Sequence, residues 1–331
     1  MAQRDEVQAA FGEVLTIEPG ESLSPWSEVW PARVHGGDGD VAAVVKRTWS
    51  APVPLEAWQR ALVAHGIRTV APLVPPVAVG SGDQAEPFDA ATTGGGAGDE
   101  IADDENWVAY PRLRGREWDG GADDLTAAGR LLGRMHAASA GLAIDGFPPF
   151  EWGSADRRSI DEDIDAIRDS AAQHWPHSDA SRWIAQLDGF ADLLERMRAA
   201  DVPAMPVSLD HRAVNLLFDD QGALALDLEN AAFAPRILDL AVAALLFPLE
   251  HVGSGGSALG SDEWAAFRGG YLSEAHLTQQ ERDIWPTALT YMKLEWGTWH
   301  LTEGVESEPE GNLGYLDDLL TLDEHARFPL H

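Results

Sequence analysis

Three side chains stand at a spacing that can do chemistry: Asp210, Asn215 and Asp227. Two acids and an amide bracket a short hairpin. Residues 215–218 read as a strand, 219–222 (Asp-Asp-Gln-Gly) as its turn and 223–226 as the return strand. Asp210 lies in the loop before the hairpin and Asp227 at its exit, so the turn can hold both near one point. Phosphoryl transfer needs such a set. One carboxylate orients an attacking hydroxyl and accepts its proton, while an amide and a second carboxylate hold Mg²⁺ against nucleotide phosphates. An Asp-x4-Asn pair alone has a blander reading, as turn and cap residues. The continuation of the chain separates the two readings.

Asp227 and Glu229 are followed by a third acid, Asp239, that opens an apolar helix. The series Ser208-Leu209-Asp210, Asn215, Asp227-x-Glu229 and Asp239-Leu240-Ala241 resembles the aminoglycoside phosphotransferase-like kinases. That superfamily also contains choline, type II homoserine, hydroxylysine and methylthioribose kinases. Its pattern is roughly His-Gly-Asp-x4-Asn, then Asp-x-Glu, then Asp-Leu-Ala. The resemblance implies an α+β, bilobal, protein-kinase-like fold: an N-terminal antiparallel sheet lobe and a larger, mostly helical C-terminal lobe. It implies ATP (or GTP) and Mg²⁺, with Asp210 as catalytic base, Arg212 as a γ-phosphate clamp, and Asn215 and Asp227 as metal ligands. Glu229 keeps three roles open: the metal shell, a substrate amine, or solvent. Asp239 is expected to cap a helix beginning at Leu240 and to tie the loop down through backbone N–H groups. His136, on the long central helix, is expected to be structural.

Two departures stand inside the motif. Ser208 replaces the family His and Leu209 the family Gly. Serine can still hydrogen-bond the loop, but it is shorter and never cationic. The stretch 21–27, where the family covers the phosphates, offers the hydroxyls of Ser24 and Ser27 but no glycine.

The elements that must position these groups follow a simple order. Residues 14–17, 28–34 and 41–48 read as strands, 54–65 as a helix, 73–79 and 107–110 as further strands. Residues 80–106 are acidic and Gly-rich and read as a long hairpin insertion; the Gly run lacks the lysine and helix of a phosphate loop. From 124 onward helical patterns dominate, at 124–140, 154–200, 238–249, 261–272, 278–300 and 315–325. The division expected is 1–111 as a nucleotide-binding lobe and 112–331 as a catalytic and substrate lobe. The connector near 109–113 would contact the base through its backbone.

Lys46 is one of only two lysines among 23 basic residues, and it sits in an apolar strand. An edge-strand lysine that discourages pairing is the bland reading. In the family pattern it would neutralise nucleotide phosphates, with Glu56 of the following helix as its partner.

Whole-chain properties bound the function. The net charge of −32 argues against a broad basic face for nucleic acid or anionic membrane. It suits cationic partners, although an acidic proteome would give the same charge. The absence of cysteine excludes disulfides and thiolate chemistry. The longest apolar run, 240–249, falls short of the roughly 20 residues that span a bilayer. A cytoplasmic location is expected, and the oligomeric state is left open.

The expected activity is ATP-dependent phosphorylation of a small-molecule hydroxyl. Tyr291, Glu295, Trp296, Trp299 and Glu303 on one helix combine acid and aromatic groups suited to an amine-bearing acceptor. An amino sugar or aminoglycoside heads the order, with antibiotic resistance as the matching role; an amino alcohol such as homoserine, or a macrolide, follows. The tryptophans are equally readable as core. Two other classes compete: a nucleotide-binding pseudokinase module, motivated by Ser208-Leu209, and a metal-dependent hydrolase, which leaves Lys46 unexplained.

Overall fold

The computed structural model describes residues 2–23, 28–37, 39–48, 52–80, 104–251, 257–306 and 313–330. The acidic, Gly-rich segment at 81–103 and the pair Ser24 and Ser27 lie outside the described residues.

The chain starts with α1 (Ala2–Phe11), then β1 (Leu15–Ile17), β2 (Val29–Val34), β3 (Val41–Thr48), α2 (Pro52–Ala64), β4 (Val77–Gly80) and β5 (Asp104–Pro111). The five strands form one antiparallel sheet in the order β1-β2-β3-β5-β4. Strand periodicity assigns its two faces. Odd positions Ala43, Val45, Trp107 and Ala109 join Trp30, Ala32 and Val34 in an apolar layer covered by Val7 and Phe11 of α1. Trp30 stacks on Trp107 with ring centroids 4.7 Å apart. Even positions Val44, Lys46, Thr48, Val108 and Tyr110 point to the opposite face. The helix α1 is an addition to the sequence reading. Its few apolar residues, spaced among charges, carry little periodic signal on their own.

β3 is the central strand, and Lys46 is paired across it with Val29 on one side and Val108 on the other. The edge-strand explanation for Lys46 therefore fails. A lysine in the middle of a sheet discourages no pairing, and its presence needs a partner for its charge.

The second half of the fold is helical. It contains α3 (Ala122–Ser139), α4 (Arg157–His174), α5 (Ser181–Asp188), α6 (Phe190–Ala199), β6 (Ala204–Val207), β7 (Leu216–Asp219), β8 (Gly222–Ala225), β9 (Ala232–Pro235), α7 (Arg236–Leu246), α8 (Ser261–Glu274), α9 (Gln279–Leu301), α10 (Leu313–Thr321) and α11 (Glu324–Arg327). Sheet first and helices second is the α+β, two-part arrangement expected from the sequence. The helix α2 is buried with the helical core through Leu55, Trp58 and Leu62, and Trp58 Nε1 donates to Ser139 Oγ at 2.9 Å. The single helix expected over 315–325 is broken at 322–323, where the Asp323 side chain caps α11. Among the described residues no helix is long and apolar enough to cross a membrane.

One packing contact matters for the site. α3 and α8 cross so closely that a Cβ on Gly129 would lie 1.9 Å from the Phe267 carbonyl oxygen, and one on Gly270 2.0 Å from that of Thr126. Any side chain at either position would push the helices apart. Their close approach brings Tyr271 of α8 to His136 of α3.

Candidate active site

The loop between β6 and β7 carries Asp210. Its backbone is fixed from below by Asp239, a fully buried acid in the first turn of α7. The Asp239 carboxylate accepts from the Ser208 N–H at 3.0 Å and the Leu209 N–H at 2.9 Å. His136 Nε2 lies 3.0 Å from the same carboxylate, and His136 Nδ1 lies 2.9 Å from the Tyr271 hydroxyl. Asp239 ties the loop, as expected, but it does not cap its helix. α7 begins earlier, at Arg236 behind Pro235, so Asp239 is already inside the first turn.

Ser208 and Leu209 fit this frame. Ser208 Oγ accepts the Asp210 N–H at 3.3 Å, which stiffens the turn into the carboxylate. Leu209 has φ +54°, in the left-handed region where a family glycine is unstrained. Its side chain is buried in the apolar core, and that burial offsets the backbone cost. The motif departures are thus absorbed by packing. His211, next along, is buried; burial pushes it down to about 4, so it is neutral, and its Nε2 donates to the Ala128 carbonyl at 3.0 Å.

Asp210 is itself largely buried and its carboxylate is gripped from two sides. Arg212 Nε donates to Oδ1 and Arg212 Nη2 donates to Oδ2 at 3.2 Å. Asn230 Nδ2 donates to Oδ2 at 2.9 Å. Burial alone would make Arg212 easier to deprotonate, but Asp210 and Glu250 outweigh it and hold the guanidinium firmly charged. The Arg212 guanidinium is turned to Asp210 and, 3.1 Å away, to Glu250. Asn215, in the helical turn before β7, donates its amide to the Asp210 carbonyl oxygen at 3.1 Å, a bond that uses Nδ2 and not the acceptor Oδ1.

The hairpin β7–β8 then delivers Asp227 to Lys46. Lys46 Nζ bonds Asp227 Oδ2 and lies 3.3 Å from Glu229 Oε2. Burial would lower the Lys46 ammonium, and the two carboxylates outweigh it and raise it. Glu229 is pushed up to about 7, first by burial and then by the charge of Asp227, against the opposing pull of Lys46. Its Oε1 is buried and has no partner among the described residues. Its other oxygen, Oε2, faces Lys46, and the side chain is 14% exposed.

Glu56 does not partner Lys46. It forms an i,i+4 ion pair with Arg60 at 2.6 Å, a contact within its own helix that needs no tertiary help. The α2 residue buried toward the sheet is Gln59, whose Nε2 donates to the Tyr110 hydroxyl at 3.3 Å. Sequence reasoning missed Gln59, Asn230 and Glu250. Asn230 had a signal, because it directly follows Glu229 in the motif. The other two had none.

The acceptor candidates are split: Tyr291, Glu295, Trp296 and Trp299 lie on α9, whereas Glu303, expected on the same helix, follows its end at Leu301. Glu295 is packed against Gly153, where a Cβ would lie 2.2 Å from its Oε2, and it shares a hydrogen bond with Tyr291. Glu295 is pushed up to about 8, first by burial; the charge of Asp163 adds to this, while the Tyr291 bond and Arg198 oppose it. Glu303 is exposed, and its charge is felt at Asp163, itself raised chiefly by burial. Trp296 packs on the core from a half-buried position. Trp299 lies beside His300, and its indole N–H is buried without a partner among the described residues. Glu295 and Tyr291 therefore meet, and the charge of Asp163 is felt at Glu295.

Residues 53–285 match the family described as the phosphotransferase enzyme family. Several solved structures share the fold. Amicoumacin kinase hAmiN, in complex with AMP-PNP, Ca²⁺ and Ami, is 15% identical with a TM-score of 0.62, covering 99% of this chain and 94% of that one. Choline kinase LicA from Streptococcus pneumoniae is 11% identical with a TM-score of 0.57, covering 98% and 99%. The microcompartment-associated aminopropanol kinase is 15% identical with a TM-score of 0.51, covering 98% and 97%. Compared by sequence with curated proteins, the chain finds no match.

Proposed function

Because the chain belongs to the phosphotransferase enzyme family and is a phosphotransferase of small-molecule hydroxyls, we propose that it transfers the γ-phosphoryl group of ATP to an amine-bearing acceptor, with Asp210 as base. One observation carries the reading. Arg212, Asn215 and Asn230 converge on Asp210, while Lys46 crosses from the central strand to Asp227. An arrangement of this kind fixes the carboxylate that must orient the acceptor hydroxyl and accept its proton.

The donor set of Asn215 and Asp227 suits Mg²⁺. Both offer hard oxygen atoms, and Mg²⁺ commonly takes one or two protein oxygens together with phosphates. Among the described residues no group of three or more His, Asp or Glu side chains forms a self-sufficient metal cage. Bound there, the ion would neutralise charge developing on the phosphates. Lys46 supplies the second positive charge once released from Asp227. Asn230 and Arg212 keep the Asp210 carboxylate in one orientation.

The neighbouring folds include kinases whose names specify amicoumacin, choline and aminopropanol, and these support a small acceptor with an amine. Within the chain, Glu295 supports the same class, since a buried carboxyl near Asp163 gains a counter-charge when an ammonium group arrives. This has a pH consequence. Glu295 sits near 8 in the free protein, so it is mostly protonated at pH 7, whereas the ammonium needs the ionised form. Binding of a cationic acceptor at pH 7 should release close to one proton, and affinity should rise about tenfold per pH unit up to pH 8, then level. Calorimetry of amino sugars and amino alcohols in two buffers of different ionisation enthalpy measures the proton count. A pH-independent affinity with no proton released would remove Glu295 from the acceptor site.

The intact loop around Ser208 and Leu209 argues for an active enzyme over a pseudokinase module. The test uses AMP-PNP. Magnesium with AMP-PNP at a hundredfold excess over Kd should raise Tm by about 5 °C, and Asp227→Ala should leave AMP-PNP binding insensitive to magnesium. No stabilisation by either ATP or GTP analogues would overturn the nucleotide reading.

A further inference from the structure

Resting on that reading, we propose that Glu250 is a positioning residue of the phosphoryl-transfer site, holding Arg212 from the side opposite Asp210. Arg212 stands between two acids. Asp210 occupies its Nε and Nη2, and Glu250 Oε1 lies 3.1 Å from its Nη1. Asp210 alone neutralises the guanidinium charge. A second acid is therefore redundant for charge balance, and what it adds is direction. With Nη1 also held, the planar fork cannot rotate away from the Asp210 carboxylate.

The backbone around Glu250 is arranged to present this carboxylate. Glu250 has φ +65°; besides Leu209 it is the one non-glycine residue at positive φ among the described residues. A β-carbon residue persists in that region only where its surroundings hold it there. They do so here. Leu249 and His251 on either side are buried, and Leu249 N–H and His251 N–H bond the carbonyls of Leu246 and Pro248 at 3.0 and 3.1 Å. Trp118 packs on both Phe247 and His251, with centroids 5.3 Å away in each case. The Phe247 carbonyl accepts the N–H of Ala213, the residue after Arg212, at 2.8 Å. The end of α7 and the Asp210 loop are thus joined twice, once through backbone and once through Glu250 and Arg212.

The experiment has two arms. In the first, ADP release from Mg·ATP with water as acceptor is measured for wild type, Glu250→Gln, Arg212→Lys and the double variant. Glu250→Gln should lower kcat about tenfold with KM for ATP within twofold of wild type. Arg212→Lys keeps charge but cannot present the fork, so adding Glu250→Gln to it should cost nothing further. In the second arm, solvent exchange of the Arg212 Nε–H, assigned by its loss in Arg212→Lys, should speed up in Glu250→Gln by at least tenfold. A Glu250→Gln enzyme with wild-type kcat, or losses that multiply in the double variant, would overturn the proposal. Unchanged exchange would do so independently of activity. Absence of ADP release in the wild type would count against the kinase reading, while the exchange arm still decides whether Glu250 holds Arg212.

Discussion

Asp210→Asn should reduce kcat by about 10²–10⁴-fold, the range of a lost general base, while nucleotide affinity stays within about threefold of wild type. The carboxylate acts on the acceptor hydroxyl, and the groups assigned to the nucleotide and its metal are Lys46, Asn215 and Asp227. The substitution is close to isosteric, so the loop geometry should persist through Asn230 and the Ser208 hydroxyl. It does change one balance. Arg212 loses half of its carboxylate support and keeps Glu250 alone. Some stability should be lost with the activity, and the two are separable by measuring Tm beside turnover. Steady-state ADP release with an accepted substrate, together with titration calorimetry of AMP-PNP, checks the prediction. Activity within tenfold of wild type would remove Asp210 from the role of base.

Asp239→Asn should have the second large effect, although Asp239 touches no reacting group. Its carboxylate is fully buried and receives two backbone N–H bonds and lies against His136. An amide offers one acceptor oxygen and presents an NH₂ group where the second oxygen accepted. At least one buried N–H then faces another donor. Breaking such a buried network costs about 3–5 kcal/mol, which corresponds to a fall in Tm of roughly 10 °C. The loop would also lose the restraint that keeps Leu209 at positive φ. A shift of about 1 Å in a catalytic group can cost roughly 10²-fold in rate, so turnover should fall with stability. Calorimetry and kinetics on one preparation check both. Wild-type Tm and turnover in Asp239→Asn would show that the loop is held by other contacts.

The three candidate groups of the motif stand out in the sequence because their spacing is local: Asp210, Asn215 and Asp227 lie within one loop and hairpin, and Asn215 reaches the Asp210 carbonyl. Asp239 was legible in part. Its position in the series marked it as a tie to the loop, but the helix start behind Pro235 was a boundary that periodicity does not resolve. The sheet-then-helices order was equally readable, from strand alternation followed by helical spacing.

What required the tertiary structure involves groups far apart in the chain or backbone states without a side-chain signature. Strand order made β3 central and put Lys46 opposite Asp227, 181 residues away. Glu56 looked like the partner of Lys46 on sequence order alone; the nearer Arg60 took it, because a contact within one helix turn costs less entropy than one across the fold. Arg212 stands two residues after Asp210 in the sequence, but only the fold supplied Glu250 and so decided where its guanidinium turns. The sequence by itself determined the chemical groups and their local hairpin, since those depend on residue type and short-range turns. The tertiary structure decided which charge meets which, since burial and long-range packing set that and neither is written at any one position.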